Sequence, residues 1–306
     1  MPSRMSAAFD RIRAEKRTGL ITYVTAGDPD LARSADILCA LDRAGADVLE
    51  VGIPFSEPLA DGPVIQRATE RALAAGATAS GVLDLVSGVR SRVKAPIVLF
   101  TYANPVLRMG IEAFGDRARS AGVDGVLVLD LPIEEAGSFR DAMASRDIDM
   151  IFLLSPTTTD ARVKQAASLG RGFLYGISRL GVTGARDTVA DGAEALAGRM
   201  RAATILPIAL GFGISSPEHV RQIGRFADAA VVGSALVKVI AEAGTRTDLI
   251  ERVESYVRWL KGGAQLKLSP TENGSSGTGG ASGLGGASGL GGASGIGAAS
   301  DRWGER

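Results

Sequence analysis

Two carboxylates between residues 50 and 61 have the chemical type and the setting for acid–base work. Glu50 lies inside the aliphatic run DVLEVGIP, and burial among apolar side chains raises the pKa of a carboxyl group toward neutrality. Asp61 lies on a loop with Pro54, Pro58 and Pro63 that could close over a site as a lid. The alternatives are a Glu50 with a purely structural partner and an ordinary Asp-Gly turn at Asp61.

Three glycine-containing segments follow the last three predicted strands and indicate an anion site. They are ISRLGVTG at 177–184, GFGIS at 211–215 and GSA at 233–235. Glycine lets backbone N–H groups approach an oxyanion closely, and a helix predicted to begin at Ser234 would direct the positive end of its dipole at a phosphate. Tight turns without a ligand are the alternative for any one of these segments.

Missing residue types narrow the chemistry further. His219 is the only histidine, so neither a histidine metal site nor a Ser-His-Asp triad can be assembled. Lys94, Lys164 and Lys238 precede a predicted strand or fall within predicted helices, which argues against a Schiff-base aldolase. We therefore expect carboxylate acid–base chemistry.

The elements that must position these residues alternate between short apolar runs and amphipathic segments. The runs lie at 20–24, 47–51, 96–100, 125–129, 150–154, 172–175, 207–210 and 229–232, and the clearest helical segments at 30–44, 111–121, 133–145 and 160–169. Strands that are apolar on both faces are typical of a parallel sheet covered by helices. An open sheet would carry a glycine-rich fingerprint after its first strand, and TYVTAGDP at 22–29 is not one. The pattern predicts an α/β chain folded as a single-domain (β/α)₈ TIM barrel, with its chemistry on the loops after the strands.

Composition bounds the domain and its surroundings. The chain has 306 residues and no net charge, which argues against nucleic acid or an anionic membrane as partner. Its single cysteine, Cys39, fits a cytoplasmic protein. The repeats GGASGL, GGASGL and GGASGI near the C-terminus cannot bury enough apolar surface to order themselves. We expect a barrel over 1–267 and a flexible low-complexity tail over 268–306.

Several motifs together resemble the tryptophan synthase alpha subunit. They are YVTAGDP, EVGIPFSEPLADGP, YANP, SRLGVTG, GFGISSPE and VVGSALV, in order along nearly the whole predicted barrel. The resemblance implies a (β/α)₈ barrel that converts indole-3-glycerol phosphate to indole and glyceraldehyde 3-phosphate in tryptophan biosynthesis, with no cofactor held in this chain. It implies that Glu50 is the general acid/base and that Asp61 accepts a hydrogen bond from the indole N–H.

The same resemblance assigns the remaining site residues. Substrate contacts fall on Tyr23, Phe100, Leu127, Tyr175, Thr183, Gly184, Phe212, Gly213, Gly233 and Ser234. A pyridoxal-phosphate-dependent beta subunit would bind the Pro54–Pro58 loop, Asn104 and Pro132 in an α2β2 complex. Glu57 departs from the family's usual Asp, which bears on lid closure and on coupling to this partner.

Two other interpretations stay open at the level of sequence. One is a different phosphate-binding barrel of the same pathway, indole-glycerol-phosphate synthase or phosphoribosylanthranilate isomerase, although the synthase would need a lysine at a strand end. The other is a non-catalytic chain that binds or activates the beta subunit. Retention of both Glu50 and Asp61 argues against the second interpretation.

Overall fold

The computed structural model describes residues 3–177, 192–211 and 213–263. Its strands are β1 Gly19–Thr25, β2 Val48–Gly52, β3 Ile97–Thr101, β4 Gly125–Val128, β5 Asp149–Met150, β6 Phe152–Leu154, β7 Leu174–Ile177, β8 Ile208–Gly211 and β9 Ala229–Val232. Its helices are α1 Arg4–Ala14, α2 Leu31–Arg43, α3 Pro63–Ala74, α4 Ala79–Val89, α5 Ala103–Met109, α6 Ile111–Ala121, α7 Gly137–Ala144, α8 Asp160–Leu169, α9 Ala193–Ala203, α10 Pro217–Ile223, α11 Ser234–Ala243 and α12 Leu249–Leu260. The segment 268–306, predicted as a tail, lies outside the described residues.

The strands form one parallel sheet that closes on itself. β1 pairs with β2 on one side and with β9 on the other, so the first and last strands are neighbours. β5 pairs with β4, whereas β6 pairs with β7. Only Ile151 separates β5 from β6, and its N–H still donates to the Val126 carbonyl at 2.9 Å. β5 and β6 are therefore one barrel strand in two segments, and the predicted (β/α)₈ barrel is confirmed.

Alternation along each strand divides the apolar side chains between the barrel interior and the layer beneath the helices. In β1, Ile21 belongs to the interior cluster, whereas Leu20 and Val24 pack under the helices. The interior is a filled core, as in other barrels of this size. Its lower end is closed by α1, which contributes Met5, Phe9 and Ile12 to the interior cluster.

Carboxylates placed just before strands hold the lower end of the barrel together. Asp47 accepts the N–H of Leu20 at 2.9 Å, so it joins the start of β1 to that of β2. Asp124 does the same for β3 and β4, and Asp228 for β8 and β9. Three arginines of α1 reach these carboxylates: Arg11 pairs with Asp47 at 3.4 Å, Arg4 with Asp124 at 3.0 Å and Arg13 with Asp228 at 3.5 Å. The N-terminal helix is thus fastened to both halves of the barrel.

Two predicted elements differ from the structure by more than one residue in their limits. The segment 133–145 was expected to be one helix, but it is a 3-10 turn over Ile133–Glu135 followed by α7, which begins at Gly137. The sixth barrel strand begins at Leu174 instead of residue 172, because Gly172 has a φ of +76° and so cannot start an extended strand. Both shifts leave the C-terminal ends of the strands in the predicted order.

Within the described ranges, no single helix is long and apolar enough to cross a membrane. Only α3 and α4 taken together pass a test of length and composition, and they are bent by 91° relative to each other.

Candidate active site

Glu50 is fully buried in the barrel interior. It lies in β2 opposite Tyr23 of β1 and Val98 of β3, and none of its surface is exposed. Neither carboxyl oxygen has a hydrogen-bond partner among the described residues. Burial alone raises the pKa of Glu50 to about 8. At neutral pH this group is therefore a carboxylic acid with a proton available for transfer.

Asp61 lies on the loop between β2 and α3, and its side chain is held by Tyr102. The Tyr102 hydroxyl donates to Asp61 Oδ2 at 3.0 Å and accepts from the Ala60 N–H at 3.1 Å. Burial raises the pKa of Asp61 to about 6, and the hydrogen bond from Tyr102 opposes that rise because it favours the ionised form. At neutral pH Asp61 is mainly a carboxylate.

The loop that carries Asp61 is fixed at both ends but exposed in the middle. The Gln66 side chain donates to the Asp61 carbonyl at 2.9 Å, and the ring of Phe55 lies 5.3 Å from that of Tyr102. Leu59, between them, is 88% exposed. The anchored ends place Asp61, and the middle of the loop stays free to contact a ligand or another chain.

Aromatic and aliphatic side chains of the barrel interior form an apolar wall near Glu50. The rings of Tyr23 and Phe100 meet edge to face at 5.1 Å, and Tyr175 and Leu127 belong to the interior cluster against which Phe100 packs. Burial raises the pKa of the Tyr23 hydroxyl well above its ordinary value, and the charges of Asp61 and Glu50 raise it further. Tyr23 is therefore a neutral hydroxyl close to both carboxyl groups.

Gly52 and Gly211 provide the room that this wall needs. A Cβ at Gly52 would overlap the Tyr23 hydroxyl and lie 2.8 Å from its ring carbon Cζ. A Cβ at Gly211 would lie 2.8 Å from the Tyr175 hydroxyl oxygen. Both glycines end strands, β2 and β8, so the two tyrosines lean across the rim of the barrel.

The glycines predicted to bind an anion lie at the ends of β8 and β9. Gly213 has a φ of +70°, in the left-handed region that favours glycine. Gly233 precedes α11, whose first helical residue is Ser234, and in the described part of the chain no side chain caps the N–H groups at the start of this helix. Those N–H groups are available to an anion. Thr183, Gly184 and Phe212 lie outside the described residues.

Comparison with known proteins identifies the family. The profile of the tryptophan synthase alpha chain family matches residues 9–265. The tryptophan synthase alpha chain of Solibacter usitatus is 46% identical over 261 residues, which cover 85% of this chain and 98% of that relative. The chain belongs to the tryptophan synthase alpha chain family.

Solved structures agree with this assignment. A structure of tryptophan synthase from Mycobacterium tuberculosis superposes with a TM-score of 0.79 at 37% identity, covering 87% of this chain and all of that chain. A structure of the tryptophan synthase α2β2 complex of Pyrococcus furiosus gives 0.76 at 40% identity, covering 80% of this chain and 98% of that one. Family membership confirms the predicted enzyme class. This alpha chain is a carbon–carbon lyase that converts indole-3-glycerol phosphate to indole and glyceraldehyde 3-phosphate in tryptophan biosynthesis.

The structure adds one alpha-chain residue that the sequence reasoning did not select. Tyr102, in the motif YANP, contacts Asp61 although 41 positions separate them. The available signal was an aromatic residue with a polar tip directly after β3, at the end of the barrel where chemistry is expected. Its hydroxyl was not predictable as a partner, because the lid loop could have placed Asp61 elsewhere.

Proposed function

We propose that Glu50 and Asp61 carry the cleavage of indole-3-glycerol phosphate in opposite protonation states. The observation that supports this is the difference between their surroundings. Glu50 has no hydrogen-bond partner among the described residues and a pKa raised to about 8, whereas Asp61 receives a hydrogen bond from Tyr102 and has a pKa of about 6. Two carboxyl groups whose pKa values differ in this way can divide the acid and base roles between them.

In the proposed reaction, the Glu50 acid gives its proton to C3 of the indole ring. The Asp61 carboxylate accepts a hydrogen bond from the indole N–H and so stabilises the positive charge that develops on the ring. Glu50, now a carboxylate, takes the proton of the glycerol hydroxyl next to the ring. The electron pair of that O–H bond forms the aldehyde carbonyl as the bond to indole C3 breaks, and its electrons restore the aromatic ring. Glu50 ends the cycle protonated, as it began.

The proposed binding site follows from the wall and the glycines. Tyr23, Phe100, Leu127 and Tyr175 would enclose the apolar indole ring, together with Phe212. Gly213, Gly233 and Ser234 would hold the phosphate, supported by the uncapped start of α11 and by the positive φ of Gly213. Gly184 would complete the phosphate site, and Thr183 would contact Asp61 on closure.

The proposal includes a beta subunit that holds pyridoxal phosphate and receives indole. Its contact surface would be the Pro54–Pro58 loop, Asn104 and Pro132. A groove of about 470 Å³ supports this location, and it is lined by Ala103, Asn104, Leu107, Arg108 and Asp130. Leu107 is 63% exposed there, as an apolar residue that packs against another chain would be. We place the protein in the cytoplasm, where a free buried cysteine such as Cys39 stays reduced.

The alternative is a chain that binds or activates the beta subunit without cleaving substrate itself. Indole release from indole-3-glycerol phosphate separates the two, measured with and without a beta subunit for the native chain, Glu50→Gln and Asp61→Asn. Glu112→Gln on the outer helix α6 is the matched control, because that exposed carboxylate has Arg146 as its one ion-pair partner within the described ranges.

We expect slow release by the native chain, acceleration by the partner, and a loss of at least about 10²-fold in both site variants, with the control unchanged. Near-native rates in Glu50→Gln and Asp61→Asn would refute the two-carboxylate mechanism. No indole from the native chain even with its partner would favour the binding-only alternative.

A further inference from the structure

Ser215, on the segment between β8 and α10, has both of its backbone polar groups bound by side chains. Its N–H donates to Nδ1 of His219 at 3.3 Å, and its carbonyl accepts from the Tyr256 hydroxyl at 3.1 Å. The Ser215 hydroxyl also lies 3.5 Å from His219 Nδ1. Two side chains therefore bind the backbone of this one loop residue, and together they hold it in place.

The two side chains that hold Ser215 are themselves fixed in place. His219 is buried in α10, and its backbone N–H donates to Ser216 Oγ at 3.3 Å, which caps that helix. Because Nδ1 accepts from Ser215, the imidazole carries its proton on Nε2. Tyr256 belongs to α12, where its ring lies 5.7 Å from that of Trp259 and packs on the apolar layer beneath the helices. The anchors of Ser215 thus come from two different helices.

This arrangement fixes the backbone at Gly213. On one side Gly211 pairs with Ile177 in the sheet. On the other side Ile214, directly before Ser215, is 3% exposed and packs in the apolar layer beneath the helices. Gly213 itself is exposed and turns with a positive φ. Because Ile214 and Ser215 are both held, the direction of the Gly213 backbone depends on where Ser215 lies.

We propose that His219 and Tyr256 are positioning residues for the phosphate of the substrate. They hold the 213–216 segment in the conformation that presents Gly213 to the phosphate, and they touch neither the phosphate nor the reacting atoms. This inference rests on the proposed function, which assigns Gly213 to the phosphate site.

The test compares two ligands that differ only in the phosphate, 3-(indol-3-yl)propyl phosphate and 3-(indol-3-yl)propanol. Their dissociation constants are measured for the native chain and for Tyr256→Phe, His219→Leu, His219→Gln and Trp259→Phe. Gln keeps an acceptor oxygen for the Ser215 N–H, whereas Leu does not. Trp259→Phe is the control, because it alters packing against Tyr256 but removes no hydrogen bond to the loop.

We expect Tyr256→Phe and His219→Leu to weaken the phosphate ligand on the order of fivefold, the effect of one lost hydrogen bond. Binding of the propanol should not change, and the KM for indole-3-glycerol phosphate should rise with kcat kept within about twofold of native. His219→Gln should recover most of the loss, and Trp259→Phe should bind both ligands as the native chain does.

Equal weakening of both ligands would show a general structural role for these side chains and overturn the proposal. Native affinity for the phosphate ligand in both Tyr256→Phe and His219→Leu would overturn it as well. A native chain that binds the phosphate ligand no better than the propanol would instead contradict the proposed function. The two failures are therefore distinguishable.

Discussion

Replacing Glu50 by Gln should change how the stability of the protein depends on pH. Burial raises the pKa of Glu50 from 4.5 to about 8, so the folded chain keeps a proton that the unfolded chain releases as the pH rises above 4.5. The stability contributed by this proton is complete below the unfolded pKa and is lost as the pH rises toward the folded pKa. Gln has no proton to release, so its contribution does not vary with pH.

The size of the effect follows from the two pKa values. Each pH unit inside the window changes the free energy of unfolding by about 1.4 kcal/mol per proton. Between pH 5 and pH 8 the native chain should lose about 3–4 kcal/mol relative to Glu50→Gln, because Glu50 is partly ionised at the ends of this range in one state or the other. Urea unfolding of both proteins at pH 5, 6, 7 and 8, followed by circular dichroism, measures this difference directly, provided that both give the same m value.

Asp61→Asn serves as the comparison, because the pKa of Asp61 is raised only to about 6. The stability difference between native and Asp61→Asn should therefore level off above neutral pH, whereas the difference for Glu50→Gln keeps growing to pH 8. A difference between native and Glu50→Gln that stays constant across the series would mean that Glu50 ionises alike in both states. That result would refute the conclusion that burial keeps Glu50 protonated in the folded chain.

Three further predictions concern the same site. The kcat/KM for indole release should rise through about pH 6 as Asp61 ionises and fall through about pH 8 as Glu50 loses its proton, and a profile that stays level to pH 9 would exclude Glu50 as the acid. Tyr102→Phe should move the low-pH limb upward by about 0.7 pH units, because it removes a hydrogen bond that favours the Asp61 carboxylate, and an unmoved limb would show that this contact does not persist during turnover. Gly52→Ala should lower the free energy of unfolding by about 1–3 kcal/mol through its overlap with Tyr23. Adding Tyr23→Phe should recover part of that loss, and failure to recover any would place the strain elsewhere.

The barrel was predictable because each strand has a local sequence pattern of its own. Five-residue apolar runs bounded by helix ends gave β2 and β3 to within a residue or two, and α6 and α8 began and ended where their patterns predicted. The break at Ile151 was not predictable, because it depends on how one strand fits β4 on one side and β7 on the other. No local pattern carries that information.

The candidate site divides in the same way. Glu50 was selected by its type alone, since a carboxylate in an aliphatic run is unusual wherever the run folds. The hydrogen bonds from Tyr102 to Asp61 and from Tyr256 to Ser215 were not predictable, because each joins residues that are distant in sequence and meet only in the folded barrel. The catalytic and binding roles of all these residues stay predictions, and Thr183, Gly184 and Phe212 also lie outside the described residues.

Closure of the barrel between β1 and β9 bears on the order in which the chain can fold during synthesis. β1 leaves the ribosome early, yet one of its edges pairs only with a strand made more than two hundred residues later. Until then that edge is open to other chains. Arg13 of α1 likewise finds Asp228 only after more than two hundred further residues have been made. A chain cut short before β9 should therefore be prone to aggregation, and the finished barrel should form only after its last strand has been released.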